Sequence, residues 1–364
     1  MKDSLSRAEE KGSAWITELL KEKRMQGGEI FLPAACYQLS TPVIIDTPCT
    51  AIRGEIWGYS ADPNGVFEGK YGTKLRLLGQ SHPALRVGNC ETIGGCRLLE
   101  LGVQGDLVGM DTRLLFDPAA PTRNAGLIFD NSRTDQCICR RLSFCGLGAG
   151  IVACGDAEID ACAFEGINTD GCDVGIWFAP RASYYTKIRS CVVADTPSYG
   201  LYLSGGYVRN LDISDMTFVR NGGAFGKINT IPAAVLFDGA YQCILRDSIF
   251  DEAGTVWYYP PKATKNEERQ ITHSAIPSLV VGGDKNVIRN NIFRHCRGDA
   301  IQIRGNGNIL LQNIADGNVY VEGCGNIISD LIFTAPDQKL FLCGAAAETS
   351  LLSGIPDDRI VREG

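Results

Sequence analysis

Histidine is scarce in this 364-residue chain, with residues only at positions 82, 273 and 295. Cys137 and Cys139 stand close together, but no second CxxC-like pair accompanies them to complete a tetrahedral set. A metal site is therefore not expected, and no organic cofactor is implied either. Basic charge is also short: 35 Lys and Arg face 42 Asp and Glu, a formal charge of −7. A nucleic-acid binder usually carries a basic face, so that class is set aside. No apolar run reaches the length of a membrane span. The opening stretch Met1 to Glu10 lacks the apolar core of a signal peptide, so a cytoplasmic address is expected. The 15 cysteines are odd in number and scattered, which fits reduced thiols better than a disulfide framework. Cys162 and Cys191 read as small core residues at one repeated position.

What the chain has in quantity is glycine, 42 residues, and a recurring short phrase. A small residue is followed by an apolar run and then by glycine or a polar turn. The phrase starts at Gly126, Gly150, Gly175, Gly200, Ala234, Ser278, Ala300, Asn318 and Lys339, in steps of 24, 25, 25, 34, 44, 22, 18 and 21. A second apolar segment follows most copies, for example 159–164, 188–193, 244–250 and 309–314. A period in the low twenties built of short β-type segments is the signature of a solenoid. The pattern predicts an all-β, right-handed, single-stranded parallel β-helix, whose coils hydrogen-bond about 4.8 Å apart. Asn286, Asn308 and Asn326 each lie seven residues after a strand start, so their amides are expected to stack along the axis.

Residues 8 to 25 carry an apolar stripe (Ala8, Trp15, Ile16, Leu19, Leu20, Met25) and read as an amphipathic helix ended by Gly27 and Gly28. The division expected is a helical cap over 1–28 and one β-helix domain over 29–364. Long flank loops are expected near 54–73, 104–125, 221–233 and 254–277. Long loops in a compact domain are usually functional, and the last one carries Trp257, Tyr258 and Tyr259, a cluster suited to stacking on sugar rings. The helix followed by Gly27-Gly28-Glu29-Ile30-Phe31-Leu32-Pro33 resembles the opening of pectate-lyase-like β-helix proteins, in which a helix caps the first coil. That resemblance implies a protein that binds or cleaves carbohydrate on a flank walled by its longest loops.

Counting six residues back from successive strand starts reaches Cys145, Asp170, Asp195, Asn229, His273 and His295. Asp170 and Asp195 are thus expected one above the other, about 5 Å apart, with Asp173 close by. Carboxylates that near cannot both ionise comfortably, so one is held protonated and can act as an acid. A separation near 5 Å suits a retaining glycosidase, and a wider diagonal pair suits inversion. The string Asn168-Thr169-Asp170-Gly171-Cys172-Asp173 resembles a motif of polygalacturonase-type glycoside hydrolases, which implies a catalytic place for Asp170. It departs from that family at Ala194-Asp195, where a pair of Asp is usual. The same six residues also read as an ordinary capped turn. Val280 to Ile288, Leu340 to Gly354 and Thr41 to Asp46 resemble the inulin fructotransferase and difructose-anhydride enzymes. Those are β-helical trimers using an Asp and a Glu; the resemblance gives Asp173 the Asp place, while Ala179 to Tyr185 after Trp177 offers no Glu and leaves Glu165, Glu252 or Glu267 to substitute.

The expectation that follows is a carbohydrate-active enzyme cleaving or rearranging a glycosidic bond of an oligosaccharide. Its acids are Asp170, Asp173 and Asp195; Trp177, Tyr199, Trp257, Tyr258, Tyr259, His273 and Arg181 contact substrate. A homotrimer is expected, with no nucleic-acid or membrane partner. The alternatives are a polysaccharide lyase, with Arg181, Lys187, Arg220 and Arg246 serving a uronate, or a non-catalytic, tailspike-like β-helix.

Overall fold

In a computed structural model the chain is described over residues 12–23, 27–55, 72–105, 116–205, 207–222, 231–258 and 270–363, with backbone alone for 256–258 and 270. It forms a right-handed parallel β-helix. A 15-stranded sheet makes one face, and a 21-stranded sheet turns a corner to make the other two. One coil shows the plan: Ala163–Glu165 and Asn168–Asp170 lie on the larger sheet, then Val174–Tyr184 on the smaller. The next coil pairs with it in parallel, Ile176 level with Leu201 and Thr169 level with Val193.

Side chains pointing into the lumen stack in columns. One runs Leu127, Ile151, Ile176, Leu201, Val235, Leu279, Ile301, Val319 and Leu340, all fully buried. Phe218, Phe250 and Phe293 form another, with ring centroids 4.9 and 4.4 Å apart. Gly126, Gly150, Gly175 and Gly200, which open the first four phrases, leave little or no room for a side chain. A Cβ at Gly175 would lie 2.5 Å from the Gly200 carbonyl oxygen and 2.5 Å from Val193, so only glycine fits there.

The asparagine ladder is present. The Asn286 N–H donates to Asn308 Oδ1 at 2.8 Å, and the Asn308 N–H to Asn326 Oδ1 at 2.8 Å. A second ladder that the sequence pattern had not singled out joins Ser248, Asn291 and Asn313. Cys162 and Cys191 are both buried, as expected of small core residues, but they stand in different columns. Cys162 is level with Cys137 and Thr186, whereas Cys191 is level with Ile167 and Met216.

The N-terminal helix, α1, covers Ser13–Lys23, within the span expected. Ile16 and Leu20 bury themselves in the lumen core, and Trp15 stacks on Tyr37 with centroids 5.8 Å apart. Of the expected long loops, 56–71, 106–115, 223–230 and 259–269 lie outside the described residues.

The ladders carry a stability prediction. The Asn286 amide accepts from the Cys243 N–H at 2.9 Å and donates to the Ala240 carbonyl at 2.9 Å. Asn286→Ala leaves both backbone groups buried without partners, a loss of about 2–4 kcal/mol. Urea unfolding measures it, with an unchanged midpoint counting against the ladder's role.

Candidate functional site

The outer side of the smaller sheet carries a second apolar cluster, separate from the lumen. Outward-pointing Ile128, Val152, Trp177, Tyr202, Leu236 and Val280 stand on successive coils. Phe116, Ile231 and Ala233, from the ends of two flank loops, cover them. Trp177 stacks on Tyr202 at 3.9 Å and meets Phe116 at 4.8 Å. Tyr199 donates its hydroxyl to the Ile231 carbonyl at 2.7 Å. Trp177 and Tyr199, expected as open sugar platforms, are thus only 6 % and 3 % exposed. The reason is geometric: apolar side chains on the outside of a sheet must be covered, and here the loop ends cover them.

Asp173 borders this cluster at the corner that begins strand Val174–Tyr184, and is 2 % exposed. Ser198 donates its hydroxyl to Oδ1 at 2.6 Å and the Phe116 N–H donates to Oδ2 at 2.9 Å. Burial raises its pKa from 3.8 to about 6, against the pull of those two donors. A carboxyl with this property is half protonated near pH 6, and its protonated form is the state from which a general acid works.

Asp170 and Asp195 are not stacked. Strand pairing sets Asp170 level with Ala194, and Asp195 follows in the left-handed region at φ 51°. Two residues separate Asp170 from Asp173, but three separate Ala194 from Ser198, which shares the level of Asp173. Thr196-Pro197 thus lengthens the second corner by one residue, and counting back from the strand start misses the shift. Asp195 instead grips Arg220 with two hydrogen bonds, 2.7 and 2.8 Å. Arg220 lies 3.9 Å from Glu252, so the three side chains form a charged ridge along the axis. Burial works against the Arg220 charge, yet Asp195, Glu252 and Asp170 together raise its pKa.

The remaining candidates are dispersed. Arg181 is exposed and pairs with Glu158 at 2.8 Å. His273 is not at a coil corner: it sits in an antiparallel hairpin, Thr255–Tyr258 against Gln270–His273, with Nδ1 3.3 Å from Thr255 Oγ1. Trp257 and Tyr258 lie on that hairpin's first strand, and Tyr259 lies outside the described residues. His295, at a corner in the left-handed region, places Nδ1 2.8 Å from Asp251 Oδ1. Among the described residues no group of three His, Cys, Asp or Glu is placed to hold a metal ion.

The sequence reasoning missed two polar groups beside Asp173. Pairing of Ala125, Ala149, Val174 and Tyr199 puts Asn124, Gly148, Asp173 and Ser198 on one column. Leu85 pairs with Leu127, and His82 lies on the bend that leads into Leu85, on the coil next to that of Asn124. Nothing in the irregular stretches around 82 and 124 signals this, because neither belongs to the repeated phrase.

A right-handed parallel β-helix with a buried acid on its loop-covered flank is the class of protein these features define. Among solved structures the chain is similar to DFA-IIIase from Arthrobacter chlorophenolicus A6. Against that enzyme without its lid, in complex with GF2, the TM-score is 0.67 at 14% identity, over 98% of this chain and 95% of that one. With GF2 and no such truncation the values are 0.65, 15%, 97% and 94%. A mutant in complex with DFA-III gives 0.66, 14%, 96% and 93%. Identity this low establishes a shared fold. No family model and no curated protein matches the chain. No helix among the described residues is long and apolar enough to cross a membrane.

The raised pKa of Asp173 makes a signed prediction. Its folded value lies above its unfolded one, so the stabilising contribution is complete below about pH 4 and is lost as pH rises through about 6. At pH 7 the ionised group is a burden, at most about 3 kcal/mol for a shift of this size. Asp173→Asn is therefore expected to match or exceed the wild type in stability at pH 7 and to lose that advantage at pH 4. Urea midpoints at both pH values test this; a variant weaker at pH 7 would show that the carboxylate is needed to hold Phe116 and Ser198.

Proposed function

We propose that this protein is a carbohydrate-active enzyme that cleaves or rearranges a glycosidic bond of an oligosaccharide, with Asp173 as its general acid. One observation carries the reading: a buried carboxyl with its pKa raised to about 6 borders an aromatic cluster beneath flank loops. The shared fold with DFA-IIIase, whose structures hold GF2 and DFA-III, supports a short saccharide, and a fructan in particular. Reaction classes within the proposal are glycoside hydrolysis and intramolecular fructosyl transfer.

Asp170 and Asp195 complete the acidic group, and the ion pair with Arg220 favours a charged, positioning role for Asp195. Trp177 and Tyr199 serve substrate once the loop ends over them give way. His273 and Arg181 are the more distant of the proposed substrate contacts, and Trp257, Tyr258 and Tyr259 are kept in the proposal on their residue types. None of the fifteen cysteines forms a disulfide, which supports a reducing, cytoplasmic setting. A homotrimer is part of the proposal. Ile292, Ile327, Ile332 and Leu351 leave apolar surface on the outer faces of the last coils that side-by-side packing would cover. The closed packing over Trp177 favours a second reading, a non-catalytic β-helix in which the aromatic cluster only fastens loops.

The test is turnover of fructans, galacturonides and other oligosaccharides by the wild type and by Asp173→Asn, Asp170→Asn and Asp195→Asn, with products read by mass and by absorbance of unsaturated ends. Hydrolysis or an anhydride product that falls at least 100-fold in Asp173→Asn and declines in the wild type above pH 6 is expected. An unsaturated product would assign a lyase instead. Turnover indifferent to Asp173, or none on any sugar, would leave the structural reading.

A further inference from the structure

Buried polar groups are nearly always hydrogen-bonded, so the exceptions call for an account. One such exception stands in the same column as Asp173, and another lies on the coil beside it. Asn124 is 5 % exposed, yet neither Oδ1 nor Nδ2 has a hydrogen-bond partner among the described residues. One coil away, His82 directs Nδ1 at the Pro83 carbonyl, 2.9 Å distant, while its buried Nε2 has no partner. A carbonyl only accepts, so Nδ1 carries the proton and Nε2 of the neutral ring is a bare acceptor.

The position between Asn124 and Asp173 is Gly148, which contributes no side chain. A Cβ there would already lie 3.3 Å from the Asn124 carbonyl oxygen and 3.6 Å from its Cβ. Asn124 and Asp173 are thus two coil steps apart, roughly 10 Å, and the coil between them contributes no side chain at that level. The segment 116–124 joins the two ends, since Phe116 donates to Asp173 and Asn124 closes it. Asn124 has φ 50°, a conformation asparagine tolerates partly through local side-chain hydrogen bonds. Here it makes none, so backbone conformation alone does not explain a buried, unpaired amide.

We propose that Asn124 and His82 are specificity-determining residues that receive neighbouring hydroxyls of a saccharide whose reacting bond lies against Asp173. The amide offers a donor and an acceptor side by side, the match for two vicinal hydroxyls. The imidazole Nε2 accepts from a third hydroxyl one coil further on. This deepens the reading above and rests on it, because it assigns the recognition end of the same site. A saccharide so held would satisfy three polar atoms that are unpaired without it, and an analogue lacking those hydroxyls would leave them unpaired.

Thermal shift and calorimetry on the full chain test it, with short fructans, galacturonides and malto-oligosaccharides as probes. Asn124→Gly keeps the left-handed backbone and removes the amide; His82→Phe keeps a ring and removes the acceptor. Each is expected to weaken binding of the sugar that the wild type prefers about 10- to 100-fold, with the ligand-free melting point of Asn124→Gly held or raised. Unchanged affinity in both variants, while Asp173→Asn still abolishes turnover, would overturn this inference and leave the proposed function standing. A ligand-free Asn124→Gly protein that melts several degrees lower would overturn it differently, by showing the amide to be structural. If no saccharide shifts the wild type and none is turned over, the proposed function fails and this inference fails with it.

Discussion

The coils of this protein depend on their neighbours for backbone hydrogen bonds, because their strands, many of them only three residues long, find their parallel partners on adjacent coils. The consequence is a strict rule of levels. A residue can satisfy its N–H only if the coils above and below present a carbonyl at the same height, so insertions must leave and rejoin the stack without changing the level. The hairpin Thr255–His273 does this: the Gly254 N–H binds Asn221 and its carbonyl receives the Ser274 N–H, so the coil resumes where it left. Length is tolerated on the flank because it alters nothing in the lumen.

The corners are where that rule is most demanding. The chain turns between faces at a residue in the left-handed region, and the same height in successive coils holds Gly146, Gly171, Asp195, Arg220, Glu252 and His295. Glycine accepts this conformation freely, whereas the other side chains lose roughly 1 kcal/mol or more each. The stack recovers that loss by fixing those side chains in a line, where Asp195, Arg220 and Glu252 pair along the axis. Strain at the corner and charge on the ridge are thus two results of one geometry.

This also explains what was legible in the sequence. The fold was, because stacked coils repeat their apolar phrase, and so was the ladder through Asn286, Asn308 and Asn326. The ladder through Asn291 and Asn313 follows the second strand of each coil, whose start the phrase does not mark. Asp170 over Asp195 failed for a local reason, the extra residue in Thr196-Pro197, which spacing counted from one strand cannot detect. Trp177 and Tyr199 were read as open platforms, but their exposure depended on loop ends around Phe116 and Ile231 whose path no repeat encodes. His82 and Asn124 were invisible for the same reason. Periodicity reports the coils, and this site is made where irregular segments return to them.

The energetics of the Asp173 corner argue against regarding it as packing alone. A stacked corner optimised for stability would place an asparagine or a serine where Asp173 is, since either could bind the Ser198 hydroxyl without a buried charge. It would also leave no unpaired amide at Asn124 and no bare imidazole nitrogen at His82. Three unfavourable groups fall near this corner, whereas further along the stack Asn286 and Asn291 have both amide groups paired across coils. The chain therefore has the means to pair such groups and does not use them here. A buried acid with an unpaired amide on its own column is the kind of local cost that a bound ligand can offset.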